Sequence, residues 1–355
     1  MKHNFGAGPC ILPQEVFKKA AAAVIDFNGL SILEVSHRSA DFVAVMEEAR
    51  ENVKKALNVP AGYTVLFLQG GASLGFLITA YNMMGKHKRA GYINTGTWSS
   101  KAIKEAKGIG LDVVEVASSK DKGFSYIPKG FDIPEDIDFL HFTSNNTIAG
   151  TQFKDFPKTN VPLVCDMSSD IFSKEINVAD FDIIYAGAQK NLGPAGATLY
   201  IVKDEILGKS TAAHIPSYLD LAVHADKDSM FNTPPVYSVF VANLNLQHML
   251  ANGGVQAIAK ENQAKAELIY KTIDENPLFE GTTAVEDRSE MNVTFRLKDE
   301  SLTDKFNAAW NAADLVGLKG HRSVGGFRAS MYNALPLSSV QVLADLMNNF
   351  AKENA

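Results

Sequence analysis

The sequence predicts an α/β fold: a mostly parallel, doubly wound sheet of seven strands in a large N-terminal domain, followed by a smaller C-terminal α/β domain. Three observations predict it. Seven short apolar runs fall between Tyr63 and Val202, with the length and composition of buried strands. The first of them runs through Gln69-Gly70-Gly71-Ala72-Ser73 into a helical stretch, the strand–turn–helix order of a wound sheet. Beyond Gly253 the pattern changes to a long polar-faced helix and then one alternating strand. With 355 residues, the chain is too long for one small core, so two domains are expected, 13–253 and 254–355.

Taken in order, residues 4–13 are a glycine- and proline-rich lead, and Pro13 suits the first turn of a helix over 14–27. Phe42, Val45, Met46, Ala49, Val53 and Leu57 have helical spacing, with Ser39 as N-cap and Asp41 at the positive end. His37 and Arg38 then lie on a loop at a helix entrance, where a guanidinium can grip a carboxylate. Strand 63–68, the glycine turn and a helix to residue 84 form an anion cradle of backbone N–H groups. Strand 90–94 ends at Thr95-Gly96-Thr97-Trp98-Ser99-Ser100, before a helix through residue 107. Trp98 stands at that junction with a face free to stack on a flat ring, unless it simply packs in the core.

Strands 111–116 and 138–142 follow, then Thr143-Ser-Asn-Asn-Thr-Ile-Ala-Gly150. Strand 161–166 ends in Asp166, strand 181–185 leads to Lys190, and 193–196 turns the chain into strand 197–202. Helices are expected to alternate with these strands after the first few. Residues 214–228 read as loop-rich. Asn232-Thr233-Pro234-Pro235 is a stiff approach to an apolar helix. The closing part reads as helix 253–276, strand 291–296, helix 302–316, the glycine loop 317–330 and an amphipathic helix 338–350.

The chemistry is concentrated in Lys190 and Asp166. Both stand at strand ends, at the edge where ligands of open α/β sheets gather. Glycines around Lys190 let a ligand approach, and burial would favour the free amine that attacks a carbonyl. Schiff-base lysine plus an acid for the pyridine nitrogen is what a protein contributes to pyridoxal phosphate. The run Cys165-Asp-Met-Ser-Ser-Asp-Ile-Phe-Ser173, then Gly187-Ala-Gln-Lys-Asn-Leu-Gly-Pro-Ala-Gly196, resembles the phosphoserine aminotransferases. These are in the class V branch of the fold-type I pyridoxal phosphate enzymes. The phrase Gly320-His-Arg-Ser-Val-Gly-Gly-Phe-Arg-Ala-Ser330 extends the resemblance, which runs from Asn4 to beyond Leu337.

The resemblance implies the fold-type I architecture, with residues 1–12 packed near the active site, and the roles of individual residues. Lys190 is the Schiff-base lysine and Asp166 the partner of the pyridine nitrogen. Ala72, Ser73, Trp98, Thr147 and Gln189 would bind the cofactor, and Asn232 and Thr233 would reach the cofactor phosphate of a partner subunit. His37, Arg38, His321, Arg322 and Arg328 would bind substrate, Arg328 on the α-carboxylate. Two departures stand out: Ser73 replaces an arginine of some members, and Asn146 replaces a frequent glutamate. The implied reaction moves an amino group between L-glutamate and 3-phosphohydroxypyruvate, in serine biosynthesis, in a homodimer with shared sites. The related phosphorylated four-carbon acid of vitamin B6 synthesis is a second acceptor on which the residues do not decide.

Composition limits the rivals. A net charge of −6 argues against general nucleic-acid or anionic-membrane binding, and no apolar run is long enough to span a bilayer. Two cysteines give no disulfide framework, so a reducing cytoplasm is expected. No metal-ligand spacing is present. A desulfurase of the same fold needs a mobile nucleophilic cysteine, whereas Cys165 lies in a strand and Cys10 near the start. A binding protein without chemistry has no use for a Schiff-base lysine.

Overall fold

A computed structural model describes residues 2–354. Its centre is a seven-stranded sheet made of β1 (Tyr63–Gln69), β2 (Arg89–Asn94), β3 (Asp112–Ser118), β4 (Phe139–Thr143), β5 (Leu163–Asp166), β6 (Ile183–Gly187) and β7 (Ala197–Lys203). The spatial order is β1-β7-β6-β5-β4-β2-β3. Only β7 runs against its neighbours; the other pairings are parallel. Both faces are buried, which is why these strands read as continuous apolar runs. Leu199 and Ile201 of β7 enter one core, while Tyr200 and Val202 enter the other.

The helices over Gly71–Met83 and Thr97–Gly108 cover one face, and those over Gln14–Ile25, Ala40–Leu57 and Val236–Ala251 cover the other. Ser39 caps its helix as expected, its Oγ accepting from the Phe42 N–H. At Gly75 a Cβ would meet the Tyr185 ring at 2.7 Å. The missing side chain there lets the first helix press onto β6.

Three sequence expectations are corrected. Between β4 and β7 no α-helix occurs among the described residues; the connections are a short hairpin, turns and one 3-10 turn over Val178–Asp180. Parallel neighbours are therefore joined there by compact loops rather than helical crossovers. The stretch 214–228 holds a short helix, Leu221–Asp226, whose start is capped by the Asp220 carboxylate. The helix expected over 302–316 ends at Ala312. Asp314 turns left-handed at φ 56°, and Leu315–Val316 becomes a two-residue strand paired in parallel with His3–Asn4. Burial of Leu315 in an apolar core outweighs the helical periodicity.

A second sheet, β8 (Phe279–Gly281), β9 (Asn292–Leu297) and β10 (Phe327–Ser330), is antiparallel. It shares a separate core with the helices Gly254–Glu275 and Leu337–Asn354, and Phe5 from the start of the chain is buried in the same core. Lys265 is buried here, its ammonium donating to the carbonyls of Met331, Tyr332 and Leu335 at 3.0–3.2 Å. Those three acceptors match the three ammonium donors. The turn after β10 is thereby fastened. Among the described residues, no helix is long and apolar enough to cross a membrane.

Candidate active site

A cavity of about 650 Å³ opens at the carboxyl ends of the central strands. Each strand delivers its side chains there because the chain must leave the sheet at that edge. Asp166 ends β5, Lys190 follows β6, and Ala72 and Ser73 open the helix that follows β1. Trp98 opens the helix after β2, and Thr147 lies in the hairpin after β4. The loop before the third strand of the second sheet brings His321, that strand itself brings Arg328, and Ala7, Gly8 and Pro9 of the N-terminal lead close one wall.

Asp166 is buried, and Ser168 donates to its Oδ1 from both backbone N–H and Oγ, at 2.9 and 2.5 Å. Oδ2 has no donor among the described residues and is left for a ligand. Burial raises the carboxyl above its ordinary range, against the lowering effect of Ser168 and Lys190. A protonated ring nitrogen placed against it would restore the charged form. Lys190 is buried and forms no hydrogen bond through Nζ among the described residues. Burial brings it down to about 8; Asp166 opposes this and Arg328 adds to it. A free amine is thus accessible near neutral pH.

Trp98 forms the lateral wall. Its Nε1 donates to Thr147 Oγ1 at 3.0 Å, and Lys190 Nζ lies 5.5 Å from the ring centre. Gly70 has φ +105°, a conformation that suits glycine, and it starts the helix Gly71–Met83. A Cβ at Gly71 would meet nothing within 4 Å, and Gly70, Gly71, Ala72 and Ser73 at this helix N-terminus all line the cavity. Arg328 donates through one Nη to the Thr147 carbonyl at 2.8 Å, while its buried Nε has no acceptor. That fork is incomplete without a bound anion.

Nine of the expected residues line this one cavity: Ala72, Ser73, Trp98, Thr147, Asp166, Gln189, Lys190, His321 and Arg328. Five do not. Arg38 and Arg322 are exposed, and His37 is buried with an unpartnered Nε2. Asn232 and Thr233 lie on the surface loop before the helix Val236–Ala251, where the Thr233 carbonyl accepts from Gln69 Nε2 at 2.7 Å. The sequence reading assigned no role to Ser168, although Asp166-Met-Ser168 has the spacing at which an aspartate accepts from the residue two ahead. It also missed a buried relay: Asn145 donates to Asn292, Asn292 to Tyr332, and the Tyr332 hydroxyl to the Ala7 carbonyl. Asn146 does not reach the cavity; its amide donates to Thr95 and Thr151. Among the described residues, no cluster of histidine, cysteine, aspartate or glutamate is arranged to hold a metal.

A lysine amine, a buried carboxylate, an aromatic wall and a helix N-terminus suit pyridoxal phosphate by the chemistry of the donor set. The class defined by this fold and site is matched by the family model for class-V aminotransferases over residues 3–343. The phosphoserine aminotransferase of Flavobacterium johnsoniae is 59% identical, with 98% of each chain covered. That of Parabacteroides distasonis is 54% identical over 99% of each. Among solved structures, the phosphoserine aminotransferase from Bacillus circulans subsp. alkalophilus superposes with a TM-score of 0.97 at 43% identity, covering 100% of this chain and 99% of that one. The chain belongs to the class-V, pyridoxal-phosphate-dependent aminotransferases, and within them to the phosphoserine aminotransferase family.

Proposed function

We propose that the enzyme exchanges an amino group between L-glutamate and 3-phosphohydroxypyruvate, giving O-phospho-L-serine and 2-oxoglutarate in serine biosynthesis. The observation that carries this reading is the unfilled Arg328 fork beside His321, in the same cavity as Lys190 and Asp166. Pyridoxal phosphate, when bound, supplies a carbonyl for amine capture and a ring that withdraws electrons. Asp166 Oδ2 keeps the ring nitrogen protonated. Lys190 would anchor the cofactor and, once displaced by the substrate amine, would move the proton between the substrate Cα and the cofactor's C4′ carbon. Trp98 would flank the ring, Thr147 would donate to its oxygen, and Ala72, Ser73 and Gln189 would hold the phosphate. Arg328 binds the α-carboxylate, while His321, Arg322, Arg38 and His37 serve the far anionic end. Residues 13–253 form the cofactor-binding domain and 254–355 the smaller one, in a cytoplasmic enzyme. The phosphorylated four-carbon 2-oxo acid of vitamin B6 synthesis meets the same anion-binding groups.

A substrate panel with glutamate as donor tests the reading. An unphosphorylated acceptor forgoes two charge-assisted hydrogen bonds, which should lower kcat/KM by about 10²–10⁴, at roughly 1.5–3 kcal/mol each. Arg322→Ala should impair the phosphorylated acceptor far more than pyruvate and leave the cofactor absorbance unchanged. Equal kcat/KM for pyruvate and phosphohydroxypyruvate in the unmodified enzyme would rule the assignment out.

Asn232, Thr233, Arg38 and Arg322 lie outside their own chain's cavity, which supports a homodimer that completes each site from both subunits. Mixing inactive Lys190→Ala chains with an inactive Asn232→Ala/Thr233→Ala variant should restore roughly a quarter of full activity, since half the dimers are hybrids with one intact site. Confirmed hybrids without activity would point to sites built within single chains.

A further inference from the structure

We propose that Lys101 is a specificity-determining residue, a further cation at the cavity mouth for the substrate's distal phosphate. The proposal rests on the phosphoserine reading above. In the helix Thr97–Gly108, Lys101 follows Thr97 by four positions and Trp98 by three, so it shares their side of the helix. Its Nζ lies 4.6 Å from the centre of the Trp98 ring. That is the ring fixed by Thr147 and neighboured by Lys190, so Lys101 is one aromatic ring away from the reacting amine.

The same helix end faces the glycine loop of the second sheet. Thr97 and Trp98 line a side cavity of about 300 Å³ together with Ser323 and Val324. His321 of the same loop lines the main cavity together with Arg328. His321 is held below the ordinary imidazole range first by burial, then by Arg328, Arg322 and Lys101. Lys101 has no ion-pair partner among the described residues, and no acid stands in the first turn of its helix. In a chain of net charge −6, an unpaired ammonium beside three other potential cations favours a ligand that brings its own negative charge.

The chemistry favours a phosphate over a carboxylate. A phosphate monoester carries about two charges near neutral pH against one for a carboxylate, so an added cation gains more from it. The flexible stem of lysine also lets the ammonium approach when phosphate is present and withdraw to water when glutamate's singly charged carboxylate occupies the site.

Steady-state kinetics of the loaded enzyme across ionic strength test this. Lys101→Gln should raise KM for the phosphorylated acceptor roughly three- to tenfold at low salt, with kcat unchanged and a flatter salt dependence. KM for glutamate should change less, Lys101→Arg should behave as the unmodified enzyme, and Lys107→Gln should serve as a charge-matched control without effect. In the cofactor-free protein, the nuclear magnetic resonance titration of His321 should move to higher pH in Lys101→Gln, because a neighbouring cation is gone. An unchanged acceptor KM, or equal losses for glutamate and the acceptor, would overturn the role of Lys101 and leave the substrate assignment standing. If the unmodified enzyme shows no preference for phosphorylated acceptors, the substrate assignment falls first and this role falls with it.

Discussion

Lys190→Ala is expected to lower kcat by roughly 10⁴-fold or more, because one substitution removes both the covalent anchor and the group that moves the Cα proton. The cofactor should still bind, held by the helix end, Trp98 and Asp166. Borohydride reduction of the unmodified enzyme followed by peptide mapping should place the label on Lys190; a label on another lysine would overturn the assignment. The pH dependence follows from burial. Lys190 falls from 10.5 to about 8 chiefly through desolvation. Cofactor capture by stripped enzyme should therefore accelerate about tenfold per pH unit below 8 and level off above it, since only the free amine reacts. The stability contribution has a fixed sign. The folded state holds this proton less tightly than the unfolded chain, so the contribution is fully present above 10.5 and is lost as pH falls through about 8. Stopped-flow absorbance and pH-dependent unfolding measure the two effects separately.

Asp166→Ala is expected to cost roughly 10²–10⁴ in kcat, the range for removing one member of a buried charged pair. The ring nitrogen would lose the carboxylate partner that this strand end supplies, and with it the positive charge that draws electrons from Cα. Ser168→Ala acts through the same atom but should cost far less, since the carboxylate survives and only its orientation suffers. A cofactor absorbance band in Asp166→Ala that matches the unmodified enzyme, together with unchanged kcat, would contradict this account.

The sequence made the strands, and the meeting of Lys190 and Asp166 at one sheet edge, legible for physical reasons. A sheet buried on both faces writes continuous apolar runs, so β1, β6 and β7 can be read directly. Lys190 and Asp166 lie beside such runs, and distance along the chain places them at one edge. The compact connections between β4 and β7 were not legible, because short loops among buried polar residues lack helical or turn periodicity of their own. The strand Leu315–Val316 was hidden for a different reason. Its partner lies at residues 3–4, and a two-residue pairing has no local pattern. The Asn145–Asn292–Tyr332–Ala7 relay was equally silent, since each member reads as an ordinary polar residue until folding brings four distant segments together.

The pairing of His3–Asn4 with Leu315–Val316 has a consequence for biosynthesis. Phe5 is buried among residues of the second sheet and its helices, and Gly8 and Pro9 form a wall of the cofactor cavity. Residues 3–9 must therefore wait for residues 315–330, about 300 positions later, before they find their place. The central sheet, with Lys190 and Asp166 on it, can be complete in sequence well before that wall exists. Closing so long a loop is slow compared with local folding. A growing chain thus holds its reactive lysine in an unwalled cleft, and the finished cavity arises only once the glycine loop and β10 have emerged. Emergence of residues 315–330 and completion of the cavity become one event, so that chains stopping short of them lack His321, Arg328 and the wall formed by Ala7, Gly8 and Pro9.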